Sequence, residues 1–319
     1  MDRSCLRAAF GAFFACGLLL LTGCGPDEQS VPANGPQYVT TIAPFEMILS
    51  PMVEGRGTVE RLLEPGTSPH TYDPLPSDVR AVTRASAFLY GAKSLDGWAA
   101  DVPASRSIRL VGVLPPEARL HFGSIDGEGR SEGAVDPHFW TDPVAVQRLL
   151  PPLADTLCAI DPGGCSTYRA NADSFATVLS ALDRRLDSLT AAVRNVPVLL
   201  AQPFYRYFLH RYGPKLVGVV EPEPGVEPTP RDIERLVHRA KESGARAILS
   251  QRQLSPRAAA AVAEPTGLSF IELDPLGGTP GRETYRTLLL FNAQTLSDSL
   301  SHWSDKPRGT DGSGRKAMR

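Results

Sequence analysis

The amino-acid sequence predicts an α/β protein in which two Rossmann-like lobes with parallel sheets are joined by one long rigid helix. Apolar segments of strand length alternate with amphipathic segments of helix length in both halves of the 319-residue chain, a pattern typical of parallel sheets covered by helices. One uninterrupted helical pattern at 166–195 separates the two alternating regions. Ligands of open parallel sheets collect at the carboxyl ends of the strands. We therefore expect a ligand cleft between the lobes.

The first half contains four predicted strands. They lie at 38–42, 58–63, 87–91 and 108–113, with helices at 45–53, from Pro76 onward and at 95–100. Glycine and acidic residues then dominate a stretch at 114–134, which predicts a mobile surface loop. His121 in that loop is either an auxiliary metal contact or, as we prefer, a solvated residue. A helix at 142–160 follows.

The predicted linking helix carries an apolar stripe at helical spacing. Its members are Tyr168, Ala172, Phe175, Val178, Leu179, Leu182, Leu186 and Leu189. The second half repeats the alternation, with strands at 198–201, 215–220, 247–250 and 269–273 and helices at 204–212, 231–244, 256–267 and 284–303. The predicted boundaries are a leader at 1–23, an anchor and tether at 24–36, lobes at 37–160 and 196–303 around a linking helix at 161–195, and a disordered tail at 304–319.

The composition favours a globular protein without a nucleic-acid partner. Hydrophobic residues make up 42% of the chain and charged residues 21%, and the formal net charge is −2. Nucleic-acid binding normally requires a clustered basic face, whereas lysine and arginine are scattered here.

The first residues predict a targeting segment. Arg3 and Arg7 precede an apolar run at 8–21, and the sequence L-T-G-C ending at Cys24 resembles a bacterial lipobox. We expect cleavage before Cys24, a lipid on its sulfur and a soluble tether behind it. An ordinary signal peptide or a short membrane helix is the alternative, although the run is short for a membrane span.

Beyond the leader and the anchor, only Cys158 and Cys165 remain. They flank a D-P-G-G turn that can bring them together, and an exported protein is in an environment where disulfides persist. The alternative is a pair of thiolate metal ligands. We prefer the disulfide because no further cysteine exists to complete a thiolate site.

Two histidines lie on loops stiffened by proline. His70 is within P-G-T-S-P-H-T-Y-D-P-L-P-S-D at 65–78, which cannot form a helix or an inner strand. His138 is within D-P-H-F-W-T-D-P at 136–143, which enters a helix. Gln202 and Asp274 each follow a predicted strand of the second half. Two imidazoles and two oxygens from both halves predict a closed four-coordinate site of the kind that transition metals occupy.

These segments together resemble one protein family, the zinc- and manganese-binding solute receptors of bacterial ABC transporters, also called cluster A-I or cluster 9 receptors. The resemblance extends from about Tyr38 to Trp303. It is carried by the two histidine segments and by Y-R-Y-F-L-H-R-Y-G at 205–213, E-P-T-P at 227–230 and E-L-D-P-L at 272–276. It implies two lobes around a buried metal, a lipid-anchored monomer outside the cytoplasmic membrane (in the periplasm of a Gram-negative cell), and delivery to an ABC permease.

The resemblance also implies which residues bind the metal. His70 and His138 match two ligand positions of the family and Asp274 its carboxylate ligand. Gln202 departs from the pattern, since the family usually has histidine or glutamate there. Two neutral histidines, a glutamine and one aspartate leave a divalent ion with a residual charge of about +1, and burying that charge disfavours a manganese site built from hard oxygens. We therefore expect zinc, with manganese as the alternative.

Two other functions stay open at this point. An exported metallohydrolase requires an open coordination position and a general base, and Glu272, two residues before Asp274, is the available carboxylate. We expect Glu272 to act behind the ligands and expect no catalysis. The other alternative is a receptor-like lipoprotein with a degenerate metal site that serves as an interaction or chelate-binding module.

Overall fold

The computed structural model describes residues 35–123, 133–222, 226–253 and 257–304, with backbone only for 302–304. The predicted leader at 1–23, the predicted lipidation site at Cys24, the middle of the 114–134 loop and the tail from residue 305 lie outside the described residues. Within them, no helix is both long and apolar enough to cross a membrane.

The first half is a four-stranded parallel sheet. Its strands are β1 (Gln37–Thr40), β2 (Thr58–Arg61), β3 (Ala87–Tyr90) and β4 (Ser107–Arg109), in the spatial order β2-β1-β3-β4. The helices of this half are α1 (Ala43–Val53), α2 (Pro76–Arg84), α3 (Lys93–Asp96), α4 (Leu110–Val113) and α5 (Pro143–Ile160).

The second half repeats the same topology. Its strands are β5 (Pro197–Leu200), β6 (Lys215–Val219), β7 (Ala247–Gln251) and β8 (Ser269–Leu273), all parallel, in the order β6-β5-β7-β8. The long helix α6 (Cys165–Thr190) precedes this half, and α7 (Arg206–Tyr212), α8 (Pro230–Ser243), α9 (Arg257–Thr266) and α10 (Tyr285–Ser304) belong to it. The predicted α/β class, with two parallel sheets and a long helix between them, is confirmed.

Local sequence signals explain where the helices begin and end. The Asp142 carboxylate accepts a hydrogen bond of 2.8 Å from the Val144 backbone N–H and caps α5. Thr229 and Asp232 form a capping box at the start of α8, and Gly244 ends that helix in the left-handed conformation at φ 65°. A disulfide joins Cys158 to Cys165 and links the last turn of α5 to the first turn of α6.

The long helix belongs to a core that both halves share. It packs against α1, α5 and α10, and one continuous cluster of buried side chains includes residues of both sheets and of these helices. Smaller clusters cover the outer faces of the first and second sheets. The expected boundaries of the lobes stay predictions.

Two details of the sequence reading were wrong. The run at 108–113 is a strand only to Arg109, where the pairing with β3 ends at Tyr90, and Leu110 and Val111 are buried in the short helix α4 instead. Val178, assigned to the apolar stripe, is 45% exposed. Its neighbour Leu179 is buried instead. Adjacent residues of a helix point in different directions, so the buried face of α6 does not include both.

Candidate metal site

The His70 loop is held by the structure around it. Pro69–Thr71 form a single 3-10 turn, and the indole Nε1 of Trp98 donates a hydrogen bond of 3.0 Å to the Pro69 carbonyl. The pKa of His70 is lowered to about 4, chiefly by burial and further by the nearby His138, while a hydrogen bond to the Ser94 backbone opposes the shift. His70 is therefore neutral near pH 7, and the ring nitrogen that does not bond to Ser94 keeps its lone pair.

His138 is oriented by a buried carboxylate. Its Nδ1 lies 2.8 Å from Asp136 Oδ1, and its backbone N–H donates to the same oxygen at 3.0 Å. The Arg206 guanidinium donates to Asp136 Oδ2 at 3.0 Å, and both of these side chains are fully buried. Because the carboxylate accepts hydrogen bonds, the proton of a neutral His138 sits on Nδ1. Its Nε2 is then available for a cation.

The two histidines meet although 67 residues separate them. Their ring centroids are 6.1 Å apart. Two imidazoles bound to one tetrahedral zinc have centroids about 5.3 Å apart, given a Zn–N distance of about 2.1 Å. The observed separation is longer, so the rings would approach each other by about 1 Å, or bind with a wider N–Zn–N angle, to share one cation.

A small cavity adjoins both rings. It has a free volume of about 20 Å³, which is room for about one water-sized occupant. Both halves of the chain line it. The lining residues are Ser68, Pro69, His70, Leu95, His138, Trp140, Phe204, Gln251, Gln253, Pro275 and Leu276.

Gln202 lies after β5 and is 3% exposed. Its Nε2 donates a hydrogen bond of 2.8 Å to Glu221 Oε2 at the end of the neighbouring strand β6. Glu221 is half-buried and holds this amide. The described lining of the cavity does not include Gln202.

Asp274 lies after β8 and is 7% exposed. Its Oδ1 accepts hydrogen bonds from the backbone N–H groups of Leu276 and Gly277, at 3.1 and 3.0 Å, and from Gln253 Nε2 at 3.3 Å. Its Oδ2 lies 3.3 Å from Arg282 Nη1. The carboxylate is therefore already partly neutralised by a cation of the protein itself.

The structure thus brings together only part of the predicted ligand set. Across the described residues, no three His, Cys, Asp or Glu side chains converge as a metal site requires. The sequence reading did not single out Asp136, Arg206 or Arg282. Asp136, two residues before His138 and next to a proline, carried a usable signal, whereas neither arginine is near His70 or His138 in the sequence.

The carboxylate expected behind the ligands is elsewhere. Glu272 is 52% exposed at its side chain and pairs with Arg252 Nε at 2.9 Å on the surface. Glu272 is therefore placed neither behind the ligands nor as a general base beside them. Gln251, at the end of β7, lines the cavity, and the described lining does not include Arg252.

The sequence matches, over residues 39–299, the family described as zinc-uptake complex component A, periplasmic. The chain belongs to this family. The predicted resemblance is confirmed.

Two relatives are similar to this chain over most of its length. The chain is 27% identical to the manganese-binding lipoprotein MntA of Halalkalibacterium halodurans over 292 residues, covering 89% of this chain and 95% of that one. It is 26% identical to the high-affinity zinc uptake system protein ZnuA of Brucella suis over 331 residues, covering 91% and 98%.

Two solved structures show the same fold. The periplasmic zinc-binding protein TroA of Treponema pallidum gives a TM-score of 0.70 at 21% identity, covering 84% of this chain and 99% of that one. The solute-binding protein FpvC of Pseudomonas aeruginosa, solved with Mn²⁺, gives 0.69 at 20% identity, covering 84% and 99%.

Proposed function

We propose that this chain is an extracytoplasmic solute-binding protein that captures a divalent transition metal and hands it to an ABC permease. The observation that supports this most directly is the meeting of His70 and His138 at an ion-sized cavity lined by both halves. Each ring has one nitrogen tied to the protein, which leaves the other for the cargo.

The proposed ligand set is His70, His138, Gln202 and Asp274. The two histidines already face each other, whereas the second half contributes oxygens that now have protein partners. Metal binding by Asp274 requires its Oδ2 to replace or share the Arg282 contact. Gln202 would bind through its carbonyl oxygen, since its amide N–H donates to Glu221.

Zinc is the proposed cargo, and manganese is the alternative. The nitrogen donors suit zinc, which takes imidazole readily, whereas harder ions prefer a shell of oxygens. A single carboxylate that also contacts Arg282 supplies little negative charge for an oxygen-loving ion. The relatives named above bind zinc in one case and manganese in another.

The remaining parts of the proposal concern location and assembly. We place the protein outside the cytoplasmic membrane, anchored by lipid on Cys24, as a monomer that contacts a permease and performs no catalysis. The family description as a periplasmic component supports the location, and the surface pairing of Glu272 supports the absence of hydrolysis.

Calorimetric titration of the metal-stripped protein tests the proposal. We expect one zinc ion per chain, manganese to bind more weakly, and His70→Ala to weaken zinc binding by about 100-fold or more. His210→Ala is the matched control, because His210 is exposed on α7 and should leave the titration unchanged. A folded protein that binds neither ion would show that the function is wrong.

A further inference from the structure

The cavity beside the histidines contains two oxygens without hydrogen-bond partners. Ser68 Oγ and Gln253 Oε1 are both shielded from solvent and pair with no group in the described part of the chain. Ser68 comes from the His70 loop and Gln253 from the loop after β7, and both line the cavity. A buried polar oxygen left unpaired is costly. Two such oxygens beside one cavity indicate an occupant that interacts with oxygen atoms of the protein.

The orientation of the Gln253 amide follows from its neighbour. Gln253 contacts Asp274 Oδ1 at 3.3 Å, and a carboxylate that already accepts two backbone N–H groups can only accept again. The NH₂ end of the amide must therefore face Asp274. The carbonyl oxygen is the end left for the cavity.

Gln253 repeats, in the second half, the arrangement seen at His138. Each side chain donates an N–H to a buried aspartate, His138 to Asp136 and Gln253 to Asp274. Donating a hydrogen bond to a carboxylate polarises the side chain. The atom at the other end of that side chain then becomes a stronger ligand for a cation. A neutral amide oxygen gains the basicity that it lacks alone.

We propose that Gln253 Oε1 is a direct ligand of the captured divalent cation, together with His70 and His138. The inference rests on the proposed function and adds to it a residue that the family pattern does not assign. In this arrangement Asp274 acts through Gln253 as well as directly. The Ser68 hydroxyl is the second unpaired oxygen that lines the same cavity in the described part of the chain.

The test compares zinc and manganese affinities of the full chain by competition with a chromophoric chelator. Gln253→Leu replaces the amide with an apolar side chain of similar size and so removes the oxygen. We expect about tenfold weaker zinc binding. Gln253→Glu places a charged oxygen there, and we expect manganese to bind more tightly than in the wild-type protein. The visible spectrum of bound Co²⁺ should change in Gln253→Leu, because a ligand atom is lost.

Gln294→Leu is the matched control, since Gln294 is an exposed glutamine on α10 whose amide donates to Asp298 on the same helix. Gln253→Leu with control-like affinity would overturn the inference and leave the receptor function intact. Weaker binding with an unchanged Co²⁺ spectrum, or a Gln253→Glu protein that binds both metals more weakly, would show that Gln253 only positions Asp274. A wild-type protein that binds neither metal would overturn both proposals.

Discussion

At the scale of single residues, the site depends on charges buried behind the ligands. Asp136 and Arg206 are fully buried, so each needs the other. The same carboxylate holds the His138 ring and its backbone N–H. One aspartate thus connects the stability of the fold with the orientation of a ligand.

Asp136→Asn tests this connection. The amide cannot neutralise Arg206 or accept equally well from His138 Nδ1, so we expect a loss of about 3 kcal/mol in the free energy of unfolding. Zinc affinity should fall by about 10- to 100-fold because the ring loses its orientation. Urea unfolding and chelator competition measure the two effects, with the exposed Asp155→Asn as control. Unchanged zinc affinity would refute the orienting role.

Arg282 competes with the metal cargo for the Asp274 carboxylate. Its guanidinium lies 3.3 Å from Asp274 Oδ2 and 4.4 Å from the centre of the Phe291 ring. Arg282→Gln should tighten zinc binding by about fivefold to tenfold, since a like charge near the cation is removed. Arg286→Gln, an exposed arginine nearby, should have no effect. Weaker binding in Arg282→Gln would mean instead that the arginine holds the carboxylate in position.

At the scale of elements, a polar network fastens the turn between α5 and α6 to the first sheet. Arg56 donates to both oxygens of Asp161 at 2.6 Å. Tyr168 donates to Asp161 Oδ2 at 2.7 Å and lies 3.1 Å, between hydroxyl oxygens, from Tyr38 of β1. The disulfide closes the same turn. The long helix therefore begins at a point fixed by covalent and polar contacts.

This network makes stability depend on pH in a defined direction. The hydrogen bonds from Arg56, followed by that from Tyr168, hold the pKa of Asp161 below its usual value, against the opposing effect of burial. A depressed pKa contributes stability above the unfolded value of about 3.9. That contribution is lost as pH falls through the lower folded value.

Asp161→Asn should therefore lower the urea midpoint at pH 7, with a difference from wild type that shrinks below about pH 4. Asp155→Asn is again the control, because its pair with Arg169 is exposed and contributes little. A difference that is constant from pH 7 to the acid limit of folding would exclude the charge of Asp161 as the cause.

At the scale of the whole molecule, the two halves are bonded together beside the site. Trp140 Nε1 donates to the Pro275 carbonyl at 2.8 Å, and the Tyr285 hydroxyl donates to the Trp140 carbonyl at 2.7 Å. These contacts are buried and add to the shared core. Wide opening of a cleft would break them.

We therefore expect metal to enter and leave through local changes around the His70 and His138 loops. Solution scattering with and without saturating zinc should give radii of gyration within about 1 Å of each other. Calorimetry on the same sample shows that the site is filled. A clear contraction on adding zinc would contradict this expectation and indicate hinge closure.

Much of the fold and part of the metal site could be predicted from the sequence. Proline-rich loops, strand-length apolar runs and the 3.6-residue period are local properties, and they located the sheets, the long helix, His70 and His138. The end of β4 at Arg109 was not predictable in the same way, because it depends on where β3 stops. Val178 shows the same limit, since exposure depends on which helices pack around α6.

The α/β class, the alternation in both halves and the two histidine loops could be predicted because each rests on residues close together in the chain. The oxygens available beside those histidines depend instead on contacts made in the folded protein. Gln202 donates to Glu221, Asp274 contacts Arg282, and the Gln253 carbonyl has no partner among the described residues. Such hydrogen-bond choices are made among neighbours from different elements, and no local pattern records them.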